Sequence, residues 1–252
     1  DVRGAMDVRA RRAPGVVVAL LVSCASAARP SLDVFIESGC PECQSLVATE
    51  LNRTLEADGV LEAIDFRLVA FGNSYWPVSG CAGQETYNRR YGSPCWVRKC
   101  GVPDAPEQCW GSSASDLMCQ HGAAECQNDL LINCAMVHNP EPEVYMPFVT
   151  CLEKRYPYGA MTCAQKLGLD FSSIQACAAD EAMAWQVTKD AGEATAQARI
   201  PGTPTLFLNG VMMASYVNLL SQVCETFEQE EAPLGCSSIR KPCDFFTLRA
   251  WI

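Results

Sequence analysis

Leu32-Asp33-Val34-Phe35-Ile36, the turn Glu37-Ser38-Gly39, then Cys40-Pro41-Glu42-Cys43, is the stretch whose reading decides the fold. Leu46, Val47, Leu51 and Leu55 follow on one face of an amphipathic segment running from Pro41 to about Asp58. The order is strand, Cys-x-x-Cys, helix. It sets the first sulfur at a helix N-terminus, where unpaired N–H groups and the macrodipole favour thiolate over thiol. Pro41 suits the first turn, since the N–H it lacks has no helical partner there. Cys40 and Cys43 therefore read as a catalytic redox pair.

Downstream, Ile64-Asp65-Phe66-Arg67-Leu68 alternates with period two and reads as a second strand, parallel to the first, ending at Phe71-Gly72-Asn73. A turn-rich segment follows at about 74–115, with Cys81, Cys95, Cys100 and Cys109. Such a segment has little means of burying an apolar core, so two local disulfides are expected to support it. The spacing Cys95-x4-Cys100-x8-Cys109 lacks the close ligand pair of a zinc site. Helical sequence extends from Glu125 to Ala198, interrupted near Asn139–Pro142 and Pro157–Gly159, with Met183, Trp185 and Val187 read as helix-packing residues. A hairpin at Asn209-Gly210 and a last helix at about Val217–Gln229 complete the chain. Thr203 and Pro204 stand where a cis-proline loop would face the cysteine pair and offer backbone to an extended substrate. The reading is an α/β, thioredoxin-like fold with a helical, disulfide-rich insertion. It is taken as a single domain over 29–252, with a Cys-rich insertion at about 74–115 and a helical one at about 116–198.

Composition sets the compartment. Arg9, Arg11 and Arg12 precede the apolar run Val16–Val22 and the small residues Ala25-Ser26-Ala27, so 1–28 is expected to be a cleaved signal peptide. Its removal takes four of the 19 basic and two of the 29 acidic residues, leaving 15 against 27, a net charge of −12. That balance argues against nucleic-acid or anionic-membrane partners. No later run is long enough to span a bilayer, so a soluble protein is expected. Sixteen cysteines with an export leader imply an oxidising route. Cys24 leaves with the leader; beyond Cys40 and Cys43 an odd thirteen remain, so at least one is unpaired, intermolecular or transiently paired. Asn52-Arg53-Thr54 is a glycosylation sequon, with Asn52 placed on the polar face of the first helix.

A second cluster is Cys119-Gln120-His121-Gly122-Ala123-Ala124-Glu125-Cys126, with Cys134 beyond it. Its chemistry alone fits a disulfide-clipped loop and helix start, with His121 as a candidate base or metal ligand. The pattern Cys-Gln-His-Gly-x-x-Glu-Cys resembles the signature of the gamma-interferon-inducible lysosomal thiol reductase family, which combines it with an upstream Cys-x-x-Cys and a thioredoxin-like fold. The resemblance takes in Cys40, Cys43, Phe71-Gly72-Asn73, Cys151, Cys163, Cys177, the Pro204 loop, Cys224 and Cys236. The chain departs from the family at Asp129, where the pattern has Asn, and in the extra cysteines around Cys81–Cys109 and at Cys243. Gly202-Thr203-Pro204-Thr205 is also similar to the proline loop of bacterial periplasmic disulfide oxidoreductases, and fold alone does not fix the direction of electron flow.

The resemblance implies a lysosomal, vacuolar or secreted thiol reductase acting on disulfide-bonded proteins. It would need a small-thiol or protein reductant and no metal or organic cofactor. Secretory-pathway oxidase or isomerase activity is the nearest alternative; a non-catalytic cysteine-rich binding protein is a third. Acid makes the thiolate decisive: an ordinary thiol at pH 5 is ionised only to roughly 3 parts in 10,000. Bringing its pKa near 5 takes about 4.8 kcal/mol of thiolate stabilisation. A helix N-terminus supplies up to about 2 kcal/mol. Backbone N–H groups and the Cys43 thiol are expected to add the rest, with Glu42 in opposition.

Overall fold

The computed structural model describes residues 29–228 and 230–237. The expected leader and Cys243 lie outside them. β1 (Ser31–Ile36) is a central strand. It pairs in parallel with β2 (Asp65–Ala70), Ser31 opposite Asp65 through Ile36 opposite Ala70. On its other side it pairs antiparallel with β3 (Thr205–Leu208), which returns as β4 (Val211–Met212), giving the order β2-β1-β3-β4. The turn between β3 and β4 uses Asn209 and Gly210, both at positive φ, as a two-residue hairpin demands.

α1 (Pro41–Leu46) starts at Cys40, continues through a π-helical turn at Val47–Leu51 and ends as α2 (Asn52–Leu55). The sequence reading has one regular helix there; the wider turn leaves Leu46, Val47, Leu51 and Leu55 all buried. α3 (Val60–Ala63) completes the crossover to β2. With its parallel strand pair, antiparallel hairpin and motif at the helix start, this is a thioredoxin-like α/β core.

Between β2 and β3 lie α4 (Gly92–Cys100), α5 (Ala123–His138), α6 (Pro142–Lys154), α7 (Ala160–Leu167), α8 (Phe171–Ala179) and α9 (Glu181–Ala198). The helical stretch breaks more often than its sequence suggests. Gly168 closes α7 in the left-handed region, Asp170 caps α8 by accepting from Ser172 and Ser173 N–H, and Asp180 caps α9 by accepting from Met183 N–H. α10 (Leu219–Cys224) is shorter than the expected Val217–Gln229. Asn218 at positive φ precedes it, and Cys224 at its end is bridged to Cys236.

Alternation along β1 feeds two cores. Leu32, Val34 and Ile36 point to one, shared with α1, α5 and α6. Phe35 points to the other, with Val69 and Phe71. The second core corrects the expectation for 74–115. That segment buries Trp76, Trp96 and Trp110, whose rings meet at 5.9 to 6.3 Å, and Phe71 stacks on Trp96 at 5.5 Å. Trp76 Nε1 donates to Ser113 O and Trp96 Nε1 to Cys109 O, so burial leaves neither indole N–H unpaired. Both expected disulfides are present, Cys81–Cys95 and Cys100–Cys109, but they clip an aromatic core and do not replace one.

α9 covers this core with small residues. A Cβ at Gly192 would lie 2.9 Å from Trp76 and 3.0 Å from Phe71, so glycine permits the approach. Met183 is 40% exposed, contrary to its expected packing role, whereas Trp185 lies against the aromatic core and Val187 is buried in the first. No helix among the described residues is long and apolar enough to cross a membrane.

Candidate active site

Cys40 is the N-cap of α1 and its sulfur accepts the Cys43 N–H at 3.4 Å. Both sulfurs remain thiols, and both are buried. The twelve expected structural cysteines pair among themselves: the two bridges above, Cys119–Cys126, Cys134–Cys177, Cys151–Cys163 and Cys224–Cys236. Among the described residues this leaves Cys40 and Cys43 as the thiols, with Cys243 outside them. The Thr203–Pro204 bond is cis, and Thr203 O lies 3.8 Å from the Cys40 sulfur.

The Cys40 pKa is pushed below its ordinary value. The hydrogen bond with the Cys43 side chain is the largest cause; burial opposes it, and the Cys43 N–H reinforces it. The charge of Glu37 and the hydrogen bond from Cys40 Sγ to Glu42 Oε2 at 3.5 Å act in the opposite sense. Burial and the bond to Cys40 push the Cys43 thiol strongly upward. One pair thus contains a sulfur suited to attack and another that keeps its proton until needed.

The turn before the pair is tightly specified. Gly39 has φ +85°, and a Cβ there would lie 2.7 Å from the Tyr156 ring, so the position excludes a side chain. Glu37 is fully buried and accepts Asn73 N–H at 2.6 Å through Oε2 and Asn73 Nδ2 at 3.2 Å through Oε1. Asn73 Nδ2 also lies 3.1 Å from Gln120 Oε1 and 3.1 Å from Thr203 Oγ1. Asn73 therefore joins the strand end, the Gln120–His121 loop and the proline loop.

Glu125, at the start of α5, gathers that loop. Its Oε1 accepts Gln120 N–H at 2.9 Å, and its Oε2 accepts His121 N–H at 2.8 Å and pairs with His121 Nδ1. The Cys119–Cys126 bridge closes the same loop covalently. Burial, then the charge of Glu37, push Glu125 up to about 7 against the His121 hydrogen bonds. His121 Nδ1 also lies 3.8 Å from Glu37 Oε1. Glu37, His121 and Glu125 are near enough to share one ion, yet the carboxylate oxygens already accept N–H groups, and the set reads as a hydrogen-bonded network.

The structure brings Cys40, Cys43, Thr203 and Pro204 together, and His121 sits beyond Glu37, facing its Oε1. Asn52 is half-buried on α2, and Thr54 of the sequon donates its hydroxyl to Glu50 O. Sequence reasoning missed Glu37 and Glu153, which interact electrostatically with Cys40, and the roles of Ser38 and Glu125 in holding the neighbouring loops. Glu153 left one trace: it occupies the apolar stripe of α6 with Met146, Val149 and Leu152, where a charge is out of place.

The chain matches the family model described as Gamma interferon inducible lysosomal thiol reductase (GILT) over residues 31–87 and 102–167. The break in the match, 88–101, contains α4. It is 23% identical over 202 residues to the GILT-like protein C02D5.2 of Caenorhabditis elegans, covering 78% of this chain and 52% of that protein. The chain thus spans about half the length of that curated relative. It is 20% identical over 186 residues to GILT-like protein 2 of Drosophila melanogaster, covering 74% and 72% of the two chains. Among solved structures it is similar to a thioredoxin-like oxidoreductase from Silicibacter pomeroyi DSS-3, with a TM-score of 0.41 and 14% identity over 78% of this chain and 83% of that one.

Proposed function

The chain belongs to the gamma interferon inducible lysosomal thiol reductase family, and from that premise we propose that it reduces protein disulfides at Cys40–Cys43 under acidic conditions. The observation that carries the reading is the reduced, buried pair with Thr203 O 3.8 Å from the Cys40 sulfur. The Cys40 thiolate attacks one sulfur of a substrate disulfide; that bond breaks, and the leaving thiolate takes a proton from solvent. Cys43 then loses its proton and attacks the Cys40 sulfur of the mixed disulfide. The Cys40–Cys43 bond forms, the second substrate thiolate departs, and the protein has given up two electrons. An external thiol restores the dithiol by the reverse exchange.

Thr203 supports the geometry. Its carbonyl faces the reacting sulfur, so an extended substrate segment can pair with the proline-loop backbone while its disulfide lies over Cys40. The family and the six disulfides among the described residues fit a secretory or lysosomal location; the lysosome, vacuole or exterior is the compartment proposed. The test is insulin reduction with a thiol donor at about pH 5. The wild-type protein should reduce insulin and Cys40→Ser should not. Equal activity in both would overturn the assignment.

A further inference from the structure

Ser38 lies two residues before Cys40 and is held from two helices. Its N–H donates to Asp129 Oδ1 of α5 at 2.8 Å, and its hydroxyl donates to Glu153 Oε1 of α6 at 2.8 Å. Both carboxyls are 3% exposed, and the second oxygen of each, Asp129 Oδ2 and Glu153 Oε2, has no hydrogen-bond partner. Two buried carboxylates with unpaired oxygens on one serine would cost several kcal/mol if both were ionised. A proton on the pair removes that cost.

We propose that Asp129 and Glu153, joined through Ser38, are positioning residues for exchange at Cys40: they fix the turn that presents the sulfur and, by staying protonated in acid, keep negative charge away from it. This rests on the reductase reading above and extends it to how the site is tuned. Glu37 and Cys40 face the pair from the turn after β1, Glu125 with its partner His121 from the start of α5, and Tyr156 from beyond the end of α6. The charges that act on the pair most, those of Glu125, Glu37 and the Cys40 thiolate, are all negative and all favour the protonated form. Burial is the larger cause, pushing Glu153 up to about 7 and Asp129 well above its ordinary value. Ionisation passes a proton to solvent and leaves a carboxylate facing the Cys40 thiolate. The two anions disfavour one another, so the arrangement favours the reactive sulfur below neutrality.

The coupling is reciprocal and appears in whichever group titrates second. Two readouts on the full reduced chain test it: the pH profile of iodoacetamide alkylation at Cys40, and pH-difference infrared spectra of the carboxylic-acid carbonyl band. The wild-type band should decrease as pH rises through about 7 and be diminished in Glu153→Gln. In addition, either the Cys40 pKa should fall in Glu153→Gln or the carboxyl pKa should fall in Cys40→Ser, by about half a unit or more. Asp129→Asn, which keeps an acceptor for Ser38, should lower the carboxyl titration as well. The proposal is overturned if no such band titrates, or if neither the Cys40 nor the carboxyl titration moves. A purely structural clamp would leave both titrations in place. Failure of insulin reduction with these shifts intact would remove the reductase reading alone.

Discussion

At Cys40 the thiolate depends first on its neighbour. The Cys43 side chain is the largest downward influence on the Cys40 pKa, ahead of the Cys43 N–H. The sequence reading names the helix start, backbone N–H groups and the Cys43 thiol together; in the folded chain the thiol ranks first. Cys43→Ala removes that donor and Cys43→Ser keeps an O–H in its place. Alkylation of Cys40 at about pH 5 should therefore slow by about tenfold or more in the alanine variant, equivalent to a unit of pKa. The serine variant should retain most of the rate and trap mixed disulfides with substrate. Equal rates in the alanine variant and the wild type would show that the backbone alone holds the anion.

Among the elements, the decisive join is between three loops that approach one another only in the folded chain. Asn73 follows β2 and contacts Glu37, Gln120 and Thr203, so one carboxamide links the end of β1, the loop closed by Cys119–Cys126 and the proline loop. Leaving a buried polar group unpaired costs about 1–3 kcal/mol. Asn73→Ala should accordingly lower kcat/KM for insulin reduction by about tenfold, near 1.4 kcal/mol, while far-ultraviolet circular dichroism stays unchanged. A wild-type kcat/KM in this variant would mean the proline loop holds its place without Asn73. Asn73 was legible only as part of a resemblance, because nothing in Phe71-Gly72-Asn73 indicates which loops its side chain will meet.

Across the whole molecule, buried carboxyls set the pH response of stability. Burial raises Glu125 and Glu153 from an ordinary 4.5 to about 7, and it raises Asp129 in the same sense. Between those values the folded chain binds more protons than the unfolded one, so stability falls as pH rises from about 4.5 to about 7 and stays lower above. Each unit is worth about 1.4 kcal/mol, so even part of this rise shifts unfolding by several degrees. The unfolding midpoint should be higher at about pH 5 than at about pH 8, and the gap should narrow in Glu153→Gln. A midpoint independent of pH, or rising with it, would contradict the burial of these groups. The disulfides add stability independent of protonation; Cys134–Cys177, closing the longest loop among those described, contributes about 4 kcal/mol.

The sequence by itself determined what local order encodes: the strand, Cys-x-x-Cys and helix start at Leu32–Leu55, the Asn209-Gly210 hairpin and the proline loop. Each follows from side-chain period, turn chemistry or a motif within a few residues. Tertiary structure alone decided the surroundings of the sulfur and the second core. Ser38 meets Glu153 across 115 residues of chain, and Trp76, Trp96 and Trp110 share no helical or strand repeat. Whether a buried carboxyl is a charge or a proton store depends on which groups desolvate it, and packing, not sequence neighbourhood, supplies those groups.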